Sequence, residues 1–273
     1  MMETRYVVDA ATSKGRYHKE NEDSCVSNER FIVVADGMGG ESDGNVASEI
    51  AVSVISRMLE EGLQENLSGG EIRQLSMESV RKADDGIMDY ISSNPDSFGM
   101  GTTVVIAVLE GRHLYVTWCG DSRCYVYSRD KGIRSLTKDH SYVQELIDSG
   151  DITVEESYTH PDSNIITRFV GGGEDACVPD FVSCELDDED IVIVCSDGLS
   201  GYCMDRDIED TVAEASGNEG LSACLLDLAL KHGSDDDITV VTVMSEKCRI
   251  PAGSPVFGWF RRKRHQKISS SGN

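Results

Sequence analysis

Apolar positions along the chain follow two rhythms. Ala47, Ile50, Ala51, Val54, Ile55, Met58 and Leu59 recur at helical spacing, and Ile72, Leu75, Val80, Ala83, Ile87 and Ile91 repeat the pattern. Leu67-Ser68-Gly69-Gly70 separates them, so two successive helices are expected. A second pair is expected from about Asp205 onward and through Leu221, Cys224, Leu225, Leu228 and Ala229. Strand-like runs lie between: 31–35 (FIVVA), 102–109 (TTVVIAVL), 113–118 (HLYVTW), 123–128 (RCYVYS), 191–195 (IVIVC) and 238–244 (ITVVTVM). Short links such as Glu110-Gly111-Arg112 point to antiparallel hairpins. Strand blocks with two separate helix pairs imply an α+β fold, sheets packed together and covered by helices on both sides. Residues from about 137 to 180, mixed and rich in Asp, Ser, Gly and Pro, read as a flap beside the core. There is no internal repeat.

Composition narrows the function classes. The chain carries a net charge of −24, yet residues 249–273 hold six Lys and Arg and no acid. Residues 1–248 therefore contain 25 − 6 = 19 bases against 49 acids, a balance of −30. Such a surface repels nucleic-acid phosphates, which excludes nucleic acid as a partner of the main body. The basic segment, with PVFGWFRRKRHQK ending in SSSGN, is expected to be a flexible tail, either solubilising or docking weakly on an acidic surface. Domain boundaries follow: 1–248 as one catalytic domain, 249–273 as tail. The nine cysteines form no C-x-x-C pair and no zinc-spaced cluster, so reduced thiols in a cytoplasmic protein are expected. The first ten residues show no signal-peptide pattern, and no apolar run approaches the ~20 residues of a membrane span.

Aspartates mark the candidate chemistry. Asp36 follows FIVVA, Asp197 follows IVIVCS, Asp121 follows HLYVTWCG and Asp236 opens the run ITVVTV. Asp-Gly is a common turn dipeptide, and any one of these alone reads as a turn residue. Four carboxylates at the ends of buried strands read instead as a metal site, because strand ends are rigid supports and grouped carboxylates need counter-charge. Oxygen donors without Cys or His suit Mg²⁺ or Mn²⁺ rather than Zn²⁺.

Eight short motifs occur in order: N-E-D at 21–23, D-G-M-G-G at 36–40, G-T-T at 101–103, G-D-S-R at 120–123, L-T-K-D-H-S at 136–141, I-T-R-F-V-G at 166–171, S-D-G-L at 196–199 and D-D-I-T at 236–239. Together they resemble the metal-dependent Ser/Thr protein phosphatases of the type 2C class, particularly the compact bacterial members, across about residues 5–245. The resemblance implies a four-layer α-β-β-α sandwich, two antiparallel sheets flanked by helix pairs, with the flap shaping substrate choice. It implies hydrolysis of phosphoserine and phosphothreonine on kinase-modified proteins by a hydroxide bridging two Mn²⁺ or Mg²⁺ ions. Asp36 would bridge the pair, the Gly37 carbonyl would complete one shell, and Asp197 and Asp236 would hold the other ion. Asp121, with Asp197, would form a third site, and Glu22 and Asp23 would orient bound water. A monomer is expected.

Three positions depart from the family pattern. His18 stands where the family usually has a phosphate-gripping arginine. Arg16, two residues earlier, would share its face if both lie on a strand, and either residue then serves the phosphate or is simply solvated. Asp237 replaces the usual Asn, and the extra carboxylate would either tighten metal binding or sit in the outer shell. Met38 replaces the His of many eukaryotic relatives, leaving water as the acid. His140, His160, Arg123 and Arg168 are expected to be structural. Asp235-Asp236-Asp237-Ile238-Thr239 matches the D-x-D-x-T of aspartate-nucleophile phosphatases but precedes a strand instead of following one, and no cysteine fits C-x₅-R. The rival reading is a pseudophosphatase that binds phosphoproteins or regulates a kinase without turnover.

Overall fold

The computed structural model describes residues 5–39, 43–215 and 220–246, so the basic segment 249–273 lies outside the described residues. The strands are β1 (Tyr6–Ser13), β2 (Asp23–Ser27), β3 (Phe31–Met38), β4 (Gly101–Thr102), β5 (Val104–Glu110), β6 (His113–Cys119), β7 (Arg123–Ser128), β8 (Gly132–Ser135), β9 (Asp180–Glu185), β10 (Ile191–Cys195) and β11 (Ile238–Ser245). The helices are α1 (Gly44–Gly62), α2 (Gly69–Ser93), α3 (Tyr142–Ser149), α4 (Val154–Ser157), α5 (Asp197–Ser200), α6 (Asp205–Ala215) and α7 (Leu221–Lys231). One sheet runs β1-β11-β10-β7-β8, the other β2-β3-β5-β6-β9 with β4 paired to β3, and the strand pairs are antiparallel.

The central strands are continuous apolar runs because both of their faces are buried. On β3, Ile32 and Val34 point between the sheets, whereas Phe31, Val33 and Ala35 meet α1 and α2. On β10, Val192 and Val194 face the other sheet, and Ile191, Ile193 and Cys195 pack under α6 and α7. The period of two thus splits each strand between two cores, and three apolar layers separate four layers of structure. At the break before α2, Ser68 accepts the Glu71 N–H while the Glu71 carboxylate takes the Ser68 N–H at 2.9 Å, a reciprocal cap.

The flap spans the chain between β8 and β9 and contains α3 and α4. Thr102 and Val170 exchange backbone hydrogen bonds of 2.9 Å each, and the buried Asp84 on α2 accepts the Gly171 N–H (2.7 Å) and the Gly173 N–H (3.2 Å). One expectation is overturned here. Arg16 and His18 do not lie on a strand, because β1 ends at Ser13 and β2 begins at Asp23, so they share no strand face.

Candidate metal centre

β2 and β3 place Asp23 directly opposite Asp36. Asp36 sits within β3, not past its end as the sequence suggested, and the strand continues to Met38. Its backbone is clamped from the G-T-T motif: Asp36 N–H donates to Thr103 Oγ1 (3.1 Å), and the Asp36 carbonyl accepts Thr103 N–H and Thr102 Oγ1–H, both at 2.8 Å. Gly37 must be glycine, since a Cβ there would overlap the Gly44 carbonyl and lie 2.7 Å from the Glu22 carbonyl. Asp197 opens α5 just beyond β10, and a Cβ on Gly198 would overlap the Asp237 carbonyl of the neighbouring segment.

These elements gather the carboxylates. Asp36 and Asp197 lie close enough to perturb one another, and Asp23 and Asp236 each lie within the electrostatic field of both. Asp121, in the turn between β6 and β7, feels Asp197 and then Asp139. Burial raises the pKa of every member, with mutual repulsion adding to it for Asp23, Asp36, Asp121 and Asp236; Asp23 is pushed up to about 7 and Asp236 to about 6. Asp23 Oδ1, Asp121 Oδ1 and Asp197 Oδ1 are buried without a hydrogen-bond partner. A buried carboxylate oxygen without a donor is costly, and a hard cation is what satisfies it. Among the described residues no three such side chains already enclose one ion-sized point. The donor set, all oxygen and strongly anionic, fits Mg²⁺ or Mn²⁺.

Glu22 and Asp23 line the same region. Burial raises the Glu22 pKa, and its carboxylate abuts Gly44 at the start of α1. Ser196 Oγ donates to Asp23 Oδ2 (2.8 Å) and accepts the Thr239 N–H (2.9 Å), tying β2 to β11. His18 Nδ1 lies 2.9 Å from Asp237 Oδ2 and 4.0 Å from Asp236 Oδ1. Its pKa is raised, first by the hydrogen bond to Asp237. Arg16 points elsewhere, its guanidinium over the Tyr17 ring at 5.6 Å.

The sequence reading assigned no role to Thr102, Thr103, Ser196 or Asp139. Their signal was present in G-T-T, S-D-G-L and the D-H-S of the flap. Asp139 chelates Arg123 through contacts of 2.7–3.1 Å, which sets a cation beneath Asp121 and Asp197 and offsets part of their repulsion. His140 is structural: its Nδ1 accepts the Gly120 N–H (3.1 Å), its Nε2 meets Asp180 Oδ2 (3.1 Å), and Arg168 joins that carboxylate at 3.4 Å.

Comparison with known proteins places this geometry. Residues 12–225 match the Protein phosphatase 2C family. The chain is 33% identical over 237 residues to the serine/threonine phosphatase stp of Listeria welshimeri, covering 85% of this chain and 93% of that protein. It is 34% identical over 232 residues to the serine/threonine protein phosphatase PstP of Mycobacterium tuberculosis, but spans only 43% of that longer relative. The crystal structure of the PstP catalytic domain in complex with two manganese ions superposes with a TM-score of 0.74 at 30% identity, covering 88% of this chain and 98% of that one. By sequence, by fold and by the motifs that build its carboxylate cluster, the chain belongs to the protein phosphatase 2C family.

Proposed function

We propose that this protein removes phosphate from phosphoserine and phosphothreonine on other proteins, using two divalent cations, Mn²⁺ or Mg²⁺. The observation that carries the reading is the cluster of Asp23, Asp36, Asp121, Asp197 and Asp236, buried together with three oxygens left without donors. Asp36, the Gly37 carbonyl, Asp197 and Asp236 would hold the pair of cations, and Asp121 with Asp197 would hold a third. When bound, such cations activate water near neutral pH and neutralise charge on phosphoryl oxygens. Glu22 and Asp23 then orient water from outside the cation shell, as second-sphere carboxylates do. His18, on the loop beside Asp236, supplies the cationic contact to the substrate phosphate, while Arg16 is turned over Tyr17. No side chain in the cluster needs to be phosphorylated.

Support also comes from relatives named as Ser/Thr phosphatases and from the two manganese ions of the PstP structure. The natural substrates on this reading are targets of a Ser/Thr kinase, and the protein acts as a cytoplasmic monomer. Among the described residues no helix is long and apolar enough to cross a membrane. The test uses p-nitrophenyl phosphate and a phosphothreonine peptide, with Mn²⁺ and with a chelator. Cation-dependent release that Asp197→Asn lowers by at least about 100-fold is expected. Tight peptide binding with no release under any cation would instead establish the pseudophosphatase.

A further inference from the structure

The two unusual residues, His18 and Asp237, touch one another. Asp237 lies just before β11 with its side chain 3% exposed, whereas the His18 side chain is 38% exposed. The Asp237 carboxylate accepts three hydrogen bonds, all from the loop between β1 and β2: Gly15 N–H to Oδ1 (2.6 Å), Glu22 N–H to Oδ2 (2.6 Å) and His18 Nδ1 to Oδ2 (2.9 Å). Neither oxygen is orphaned, unlike Oδ1 of Asp23, of Asp121 and of Asp197. The loop is pressed onto the same segment elsewhere, for Arg16 N–H donates to the Asp235 carbonyl (2.9 Å) and a Cβ on Gly15 would lie 2.7 Å from that carbonyl. Lys14 Nζ closes the loop on itself at the His18 carbonyl (2.6 Å).

We infer that Asp237 is a positioning residue of the phosphate-recognition loop and not an outer support for a cation. Its carboxylate latches residues 15–22 against the start of β11 and holds the His18 ring beside Asp236, where phosphoryl oxygens arrive. This assignment rests on the phosphatase reading above. Chemistry and recognition are then divided between neighbours in the chain, Asp236 serving the cation and Asp237 the loop. An asparagine keeps the volume of Asp237 but offers one acceptor oxygen, so it cannot receive all three donors.

A double-mutant cycle tests the latch. Asp237→Asn should raise KM for a phosphothreonine peptide about tenfold while kcat stays within about threefold. His18→Ala should raise KM comparably, and the double variant should be no worse than about twofold beyond the weaker single variant, because one loses what the other already lost. In cation-free protein, hydrogen exchange at the Gly15 and Glu22 amides should accelerate in Asp237→Asn and stay slow in His18→Ala, with β11 amides unchanged. The inference is overturned if Asp237→Asn leaves KM untouched, if the two KM effects multiply, or if kcat and Mn²⁺ affinity fall in place of KM. Should the wild type show no cation-dependent turnover, the phosphatase reading fails by itself. The exchange rates, with phosphopeptide affinity measured in chelator, still decide the latch.

Discussion

Asp23 and Asp36 face one another across β2 and β3, and the cost of that placement is visible in their proton affinity. An aspartate in the unfolded chain titrates near pH 3.9, whereas burial lifts Asp236 to about 6 and Asp23 to about 7 in the folded protein. A group with a raised folded pKa stabilises fully below its unfolded pKa and loses that contribution as pH rises through the folded value. The cation-free protein should therefore lose stability between about pH 4 and pH 7, with Tm falling by several degrees. Millimolar Mn²⁺ should restore Tm, and more at pH 7.5 than at pH 5 because protons compete with the cation. Thermal melts at several pH values, with and without Mn²⁺, check both signs. If Tm rises with pH in chelator, the carboxylates are not buried together. Asp36 and Asp236 stood out in the sequence because each ends or opens an apolar run, whereas Asp23 entered only through the N-E-D motif. Thr103 was marked only as part of G-T-T, and that motif does not say that it clamps Asp36 through two backbone groups.

At the scale of elements, the six strands read from the sequence were those buried on both faces or lying at the centre of a sheet. The unread ones, β1, β2, β8 and β9, are the four sheet edges. β1 has a single buried position and β9 none, the rest being half-buried or exposed, so their apolar signal is diluted by the solvent-facing side. Edge strands owe their structure to a central neighbour: β1 pairs with β11 over eight residues, from Tyr6 opposite Ser245 to Ser13 opposite Ile238. The 137–180 segment was expected to be a flap from its composition, yet what holds it to the core was not visible. That tether is Asp84, an aspartate on an amphipathic helix that reads as a solvated residue. Asp84→Ala should remove both hydrogen bonds and speed amide exchange at Gly171 and Gly173 at least about tenfold, the effect of ~1.5 kcal/mol, leaving β5 and β6 protected. Unchanged exchange at those two glycines would mean that the Thr102–Val170 pairing alone suffices.

Over the whole molecule, 49 acids against 25 bases set up self-repulsion that folding must overcome. Raising NaCl from about 20 mM to 500 mM shortens the screening length from ~20 Å to ~4 Å, so Tm of the chelated protein should rise by a few degrees. A flat or falling Tm, read by calorimetry, would show that paired charges dominate instead. The sequence by itself determined the class of fold, because strands buried on both faces and one-sided helices leave different apolar periods. It also determined the family and the identity of the carboxylates, since the motifs are contiguous stretches of chain. Only the tertiary structure decided which carboxylates lie together and that Asp237 meets the loop between β1 and β2. Those outcomes depend on approaches between residues far apart in the chain, 197 − 36 = 161 positions for Asp36 and Asp197 and 222 for Gly15 and Asp237, and no local pattern encodes them.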